Sequence, residues 1–206
     1  MALLRTRRLS AQAGIAIGPI LFIVAILAIL ATAIAAGSST FATSSGQEAA
    51  RTNAAAIIQI GQNLKMGTDR IVALGTPLAN VVINAVNTVN STDLFSPLGG
   101  GLVSPSTTLA NTPATDTWIY SYADVTNLGT TALDRIAFLK VNSSVCSQIN
   151  QQVGNSGTLG ADLGNAVDAG TNVSAWPSGL AGKMVGCIDN TNSGHQYYFY
   201  QIIGVQ

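Results

Sequence analysis

The chain has 206 residues, which suits one modest domain plus an N-terminal segment. Only 9 % of them are Asp, Glu, Lys or Arg, against about 25 % in ordinary soluble domains, and the formal net charge is zero. This excludes a basic nucleic-acid-binding face and leaves the polar surface to Ser, Thr, Asn, Gln and Gly, as in a protein that packs against copies of itself or works outside the cell.

The charge is unevenly spread. Arg5, Arg7 and Arg8 precede a stretch, Ile15 to Gly46, without any charged residue. Its first part, Ile15–Ala36, is 22 residues long and almost wholly apolar. A helix of that length reaches ~33 Å, enough to cross the ~30 Å hydrocarbon core of a bilayer. The arginine trio obeys the positive-inside rule, which keeps the N-terminus cytoplasmic and sends the remainder across. That remainder has six basic against nine acidic residues, about −3.

Three fates of the N-terminus fit these features. The first is a secretory signal peptide cut at a small-residue site such as Ala33-Ile34-Ala35, although the apolar run exceeds the usual 7–15 residues. The second is a permanent signal anchor. The third is a leader, MALLRTRRLSAQAG, removed after Gly14 so that the apolar helix begins at Ile15 and stays attached.

Basic residues, then Gly14, then a long apolar helix entering a polar domain: this layout resembles the type IV pilin and pseudopilin superfamily. The resemblance covers the N-terminal third and the general plan of the rest. It implies cleavage between Gly14 and Ile15 by a prepilin peptidase-like enzyme, storage in the inner membrane, and export by pilus assembly machinery. It further implies an extracellular filament whose core is built from the apolar helices, with Ile15, Pro19, Phe22, Ile26 and Leu30 inside. Pro19 stands fifth from Ile15, where members of the family usually carry a glutamate, so the family's pairing of that glutamate with a neighbour's terminal amine cannot form. Close packing has to hold such helices together, because exchange from lipid gains little hydrophobic energy. Gly18, Gly37 and the alanines of the run permit the approach.

Beyond the run, Ser44 or Ser45 is a candidate helix cap, with Glu48 in the first turn. Ile57, Ile60, Leu64, Ile71 and Leu74 then follow at spacings of 3, 4, 7 and 3, one face of an amphipathic helix with Gly67 in its gap. Gly75-Thr76-Pro77 ends it. This predicts four segments: a leader at 1–14, a transmembrane or filament-core helix at 15–36, an amphipathic helix continuing the spine at 37–75, and an exported globular domain at 76–206.

Within 76–206 the segment VVINAVNTVN fits either a helix end or a strand. Gly99-Gly100-Gly101 is a turn and not a phosphate loop, since no GK[ST] follows. Trp118, Tyr120 and Tyr122 alternate as on one face of a strand. RIAFLKV (135–141) reads as another strand or a short buried helix. Leu159, Leu163 and Val167 recur every four residues and predict a weak helix. Gly154, Gly157, Gly160 and Gly164 lack the preceding strand that a nucleotide fingerprint needs. The aromatic, β-branched segment from Tyr197 to Val205 predicts a terminal strand paired inside a sheet.

Cys146 and Cys187 are the two cysteines. In an oxidising compartment they pair most simply with each other, which is worth roughly 4 kcal/mol in the chain-entropy model. His195, the single histidine, sits in the turn-like NTNSGHQ. There is no GxSxG elbow and there are too few ligands for zinc, so no catalytic residues and no enzyme are expected. Asp189, Thr191 and Ser193 before Gly194 weakly resemble the start of a calcium loop, but Tyr200 stands where a bidentate glutamate is needed; no cofactor is expected otherwise. Asn90, Asn142 and Asn172 open glycosylation sequons.

The expected fold is α+β. A long N-terminal helix, transmembrane in its first half and amphipathic in its second, packs on an antiparallel sheet with one disulfide. The expected function is that of a filament subunit, a homo-oligomer without nucleic-acid binding. The alternative is a signal-anchored or secreted periplasmic or extracellular binding domain that forms no filament.

Overall fold

The computed structural model describes residues 17–83, 89–110, 117–130, 133–157, 159–173 and 175–206. The chain divides into two compact units, Met1–Gly46 and Gln47–Gln206. Helix α1 (Ile17–Ala73) contributes to both. It runs through Ser44 and Ser45, so the expected cap and fresh start there are not made. Serine and glycine lower helix propensity by no more than about 1 kcal/mol each, and no proline enforces a break.

In the second unit, α1 buries one face. Ala50, Ala54, Ile57, Leu64, Thr68 and Ile71 are shielded, at the three- and four-residue spacing of a single stripe. Thr68 is tolerated there because its hydroxyl donates to the Leu64 carbonyl at 3.0 Å. Leu74 departs from the expected stripe and is exposed, because the helix has ended. Gly75 takes φ +96°, the Thr76 amide bonds the Ile71 carbonyl and the Gly75 amide that of Val72. This is a Schellman stop, and Gly75 supplies its left-handed residue.

The second unit is α+β. Its strands are β1 (Ile119–Ala123), β2 (Asp134–Val141), β3 (Leu159–Ala161), β4 (Asn172–Val173), β5 (Val185–Asn190) and β6 (Gln196–Gly204). They form one six-stranded sheet in the order β3-β5-β6-β2-β1-β4. The sheet is mixed and not antiparallel as expected: β4 lies parallel to β1 and β3 parallel to β5. The sequence could not carry that correction, because segments of two and three residues show neither period nor direction.

The central strands explain their own sequences. Along β2, Ala137, Leu139 and Val141 enter one core while Ile136 and Phe138 enter the other. Along β6, Phe199 and Ile203 go to the first core, and Tyr198, Tyr200 and Ile202 to the second. Both strands are buried on two faces, hence their near-continuous apolarity. The first core also takes the α1 stripe and α2 (Ser143–Gln152). Gly61 sets the depth of α1: a Cβ there would lie 2.8 Å from the Phe199 ring.

The expected weak helix over Leu159, Leu163 and Val167 is instead strand β3, a turn, and the short α3 (Ala166–Ala169). Gly164, at φ +60°, breaks the helix between Leu163 and Val167. Leu163 and Val167 still reach the second core. Of VVINAVNTVN, Val82 forms a bridge with Asp93, and 84–88 lie outside the described residues.

Candidate functional site

Gly14 and Ile15, the expected processing site, lie outside the described residues. Pro19 lies on α1. Phe22, Ile26 and Leu30 follow on the same helix and are 67, 41 and 51 % exposed. They are not a stripe. Ile20, Leu21, Phe22, Ile23 and Val24 are consecutive and all exposed, and at ~100° per residue they cover every side of the helix. Leu27, Ile29 and Ile34 extend the surface. The one polar side chain between Ile20 and Ile34, Thr32, donates to the Ile29 carbonyl at 2.8 Å. With the backbone bonded within the helix, this surface offers few polar groups that ask for water. Among the described residues, no helix is long and apolar enough to cross a membrane.

Cys146 on α2 and Cys187 on β5 form the expected disulfide, with Cα atoms 5.3 Å apart across 41 residues of sequence. Asn142 caps α2 by accepting the Val145 amide at 2.8 Å, which sets the phase that turns Cys146 inward. Asn150, one turn further, is buried beside the bridge. Its Oδ1 accepts the Cys187 amide at 2.9 Å and its Nδ2 donates to the Cys187 carbonyl at 2.8 Å. One side chain thereby serves both backbone groups of the bridged residue, as a neighbouring strand would.

The candidate calcium residues sit where β5 turns into β6. Thr191 and Ser193 belong to one 3-10 turn, followed by two left-handed residues, Gly194 at φ +70° and His195 at φ +60°. This turn folds Asp189 onto His195, with Oδ2 2.9 Å from Nδ1. Asn192 reaches across to Asp162, donating to its Oδ1 at 2.9 Å. That bond, then the Gly164 amide, holds the Asp162 carboxyl below the usual carboxylate range. Among the described residues no cluster of three or more His, Cys, Asp or Glu could hold a metal ion.

No family model, curated protein or solved structure matches the chain.

Sequence reasoning passed over two polar residues that the fold places in structural roles, Asn150 and Arg135. Arg135 stands second in β2, which also carries Asp134 and Lys140, so its position alone did not single it out. Its guanidinium lies 4.2 Å from the centre of the Tyr122 ring and donates to the Tyr122 hydroxyl at 2.6 Å and the Ala79 carbonyl at 2.7 Å.

Proposed function

We propose that this chain is a structural subunit that assembles with its own copies through the apolar helix of Ile15–Ala36, in the manner of a type IV pilin-like filament. The observation that carries the reading is the surface of α1 from Ile20 to Ile34. Its large hydrophobic residues are exposed on every side, and its single hydroxyl is bonded back to the helix. A helix apolar all round is stable only when surrounded by lipid or by other apolar helices. The same segment serves both settings in turn: lipid while the subunit waits in the inner membrane, and neighbouring helices once it is exported into a filament. A peptidase cut between Gly14 and Ile15 frees the helix from its basic leader. Without a glutamate at position 19, docking rests on shape and small residues, with Gly18 and the alanines of the run giving close approach. The second unit, tied by Cys146–Cys187, then forms the filament's outer surface.

Two measurements on protein from the cells that make it test the reading. N-terminal sequencing is expected to begin at Ile15, and electron microscopy to show filaments that Ile26→Arg abolishes while the second unit keeps its disulfide and melting temperature. A mature chain beginning near Ala36 or Gly37 would remove the assembly helix and sink the proposal in favour of a secreted domain. An intact N-terminus without filaments would favour an anchored one.

A further inference from the structure

The sequons at Asn90, Asn142 and Asn172 all lie in the second unit. Transfer of a glycan to a folded chain needs the asparagine amide and the hydroxyl two residues on to be presented together at the surface. The fold treats the three positions differently.

At Asn142 the side-chain amide is already employed. Its Oδ1 caps α2, accepting the Val145 amide at 2.8 Å and the Ser144 hydroxyl at 2.9 Å. The residue is half-buried, and Ser143 and Ser144 are wound into the first turn of α2, which the Cys146–Cys187 bridge holds in place. A transferase would have to draw the side chain off the helix end to reach its nitrogen. Asn172 is exposed, but it lies in β4 alongside Tyr122 of β1. Val173 after it is buried, so this sequon is held against the sheet.

Asn90 is the reverse case. The Asn90 amide donates to the Ser96 hydroxyl at 3.1 Å, and its carbonyl accepts the Asp93 amide at 3.3 Å. Asp93, Leu94 and Ser96 are fully buried, so residues 90–93 form a turn rooted in the core. Asn90 and Ser91 are nonetheless exposed, and Thr92 is half-buried. Within the turn the Asn90 Oδ1 accepts the Thr92 amide at 3.2 Å, an Asx turn that brings the side-chain amide to the third residue of the sequon. Val89, just before it, is 81 % exposed, so the approach along the chain is open.

We infer that Asn90 is an N-glycosylation site, the one of the three sequons that the folded, exported unit offers. The donor is an oligosaccharide linked through phosphate to a membrane polyprenol, and a membrane-bound transferase joins it to the chain. The Asn90 Nδ2 attacks the anomeric carbon of the first sugar, and a C–N bond forms as the C–O bond to phosphate breaks. The phosphate leaves with the bonding electron pair, and Nδ2 gives up one proton to a base of the transferase. The product suits a chain with only 9 % charged residues: a hydrated glycan on an exposed turn supplies solubility that charge does not. The inference shares with the proposed function the export of the second unit, but it does not require filaments.

The test takes the full chain from the cells that make it and maps its glycans by mass spectrometry with electron-transfer fragmentation, which leaves them on their residues. Asn90 is expected to carry a glycan in most copies, and Asn142 and Asn172 none. Thr92→Ala, which keeps the backbone amide of the Asx turn, is expected to abolish the modification, and Thr92→Ser to retain it, both with the Cys146–Cys187 bridge intact. A bare Asn90, a glycan on Asn142 or Asn172, or one on Asn90 that survives Thr92→Ala would each overturn the assignment. The N-terminal residue of the same sample separates the two proposals. A chain beginning at Ile15 with a bare Asn90 sinks this one alone, and a chain glycosylated at Asn90 but beginning near Ala36 sinks the filament reading alone.

Discussion

Two stretches of one helix use apolar residues in opposite ways. Between Ala50 and Ile71, α1 gathers its buried residues into a single stripe, and Glu48, Arg51, Lys65 and Asp69 form exposed ion pairs at i,i+3 and i,i+4. Between Ile20 and Ile34 it exposes large apolar residues all round and carries no charge at all. The first pattern is completed within the chain, since the sheet supplies what the stripe needs. The second is completed only by something else. A helix can therefore be read for where its partner comes from: a stripe points to the same molecule, a full apolar jacket to lipid or to another copy.

The largest effect that would break this contrast is a cavity. Ile57 is fully buried, so Ile57→Ala is expected to lower the stability of the second unit by about 2–5 kcal/mol. Urea unfolding of the full chain in detergent, followed through Trp118 and Trp176, measures it. Ile26→Ala in the same assay should stay within about 0.5 kcal/mol. Equal losses would mean that the two stretches are not distinct in kind.

Glycine gives a sharper, sign-reversing version. A Cβ at Gly61 meets the buried Phe199 ring at 2.8 Å, whereas one at Gly46 meets nothing within 4 Å. Gly61→Ala is expected to destabilise by about 1–3 kcal/mol through overpacking, and Gly46→Ala to stabilise the helix by up to about 1 kcal/mol. Thermal melts of the two variants, side by side, read the sign directly.

The smallest effect is one of pH. From Ile15 to Gly46 there is no ionisable side chain, and all the carboxylates of the chain lie in the second unit. Burial raises the Asp134 pKa, only partly offset by the amides of Gln206 and Val125 that bond its carboxyl. A raised carboxyl favours the folded state when protonated. Its contribution is present below its unfolded value near 4 and is lost as pH rises through the folded value. Asp134→Asn should flatten that part of the stability–pH curve, and an unchanged slope would assign it elsewhere.

Much of this was legible in the residues. Ile57, Leu64 and Ile71 announced the stripe because 3.6-residue periodicity is a local property. Two cysteines leave one pairing, and β6 declared itself through aromatic and β-branched residues. Direction and order of strands were hidden, since alternation is the same in either direction. The four-residue spacing of Leu159, Leu163 and Val167 misled because Gly164, at positive φ, interrupts it. Asn150 and Arg135 were invisible for a different reason: they bond backbone groups 37 and 56 residues away in sequence, and backbone partners leave no mark in a sequence.

The short outer strands have a consequence for any chain that polymerises. Among the described residues, the sheet ends on one rim with three residues of β3 and on the other with two of β4. Such stubs offer too few free amides and carbonyls to template a foreign strand, which guards against edge-to-edge stacking. The rims of this sheet are thus poor templates for amyloid-like growth.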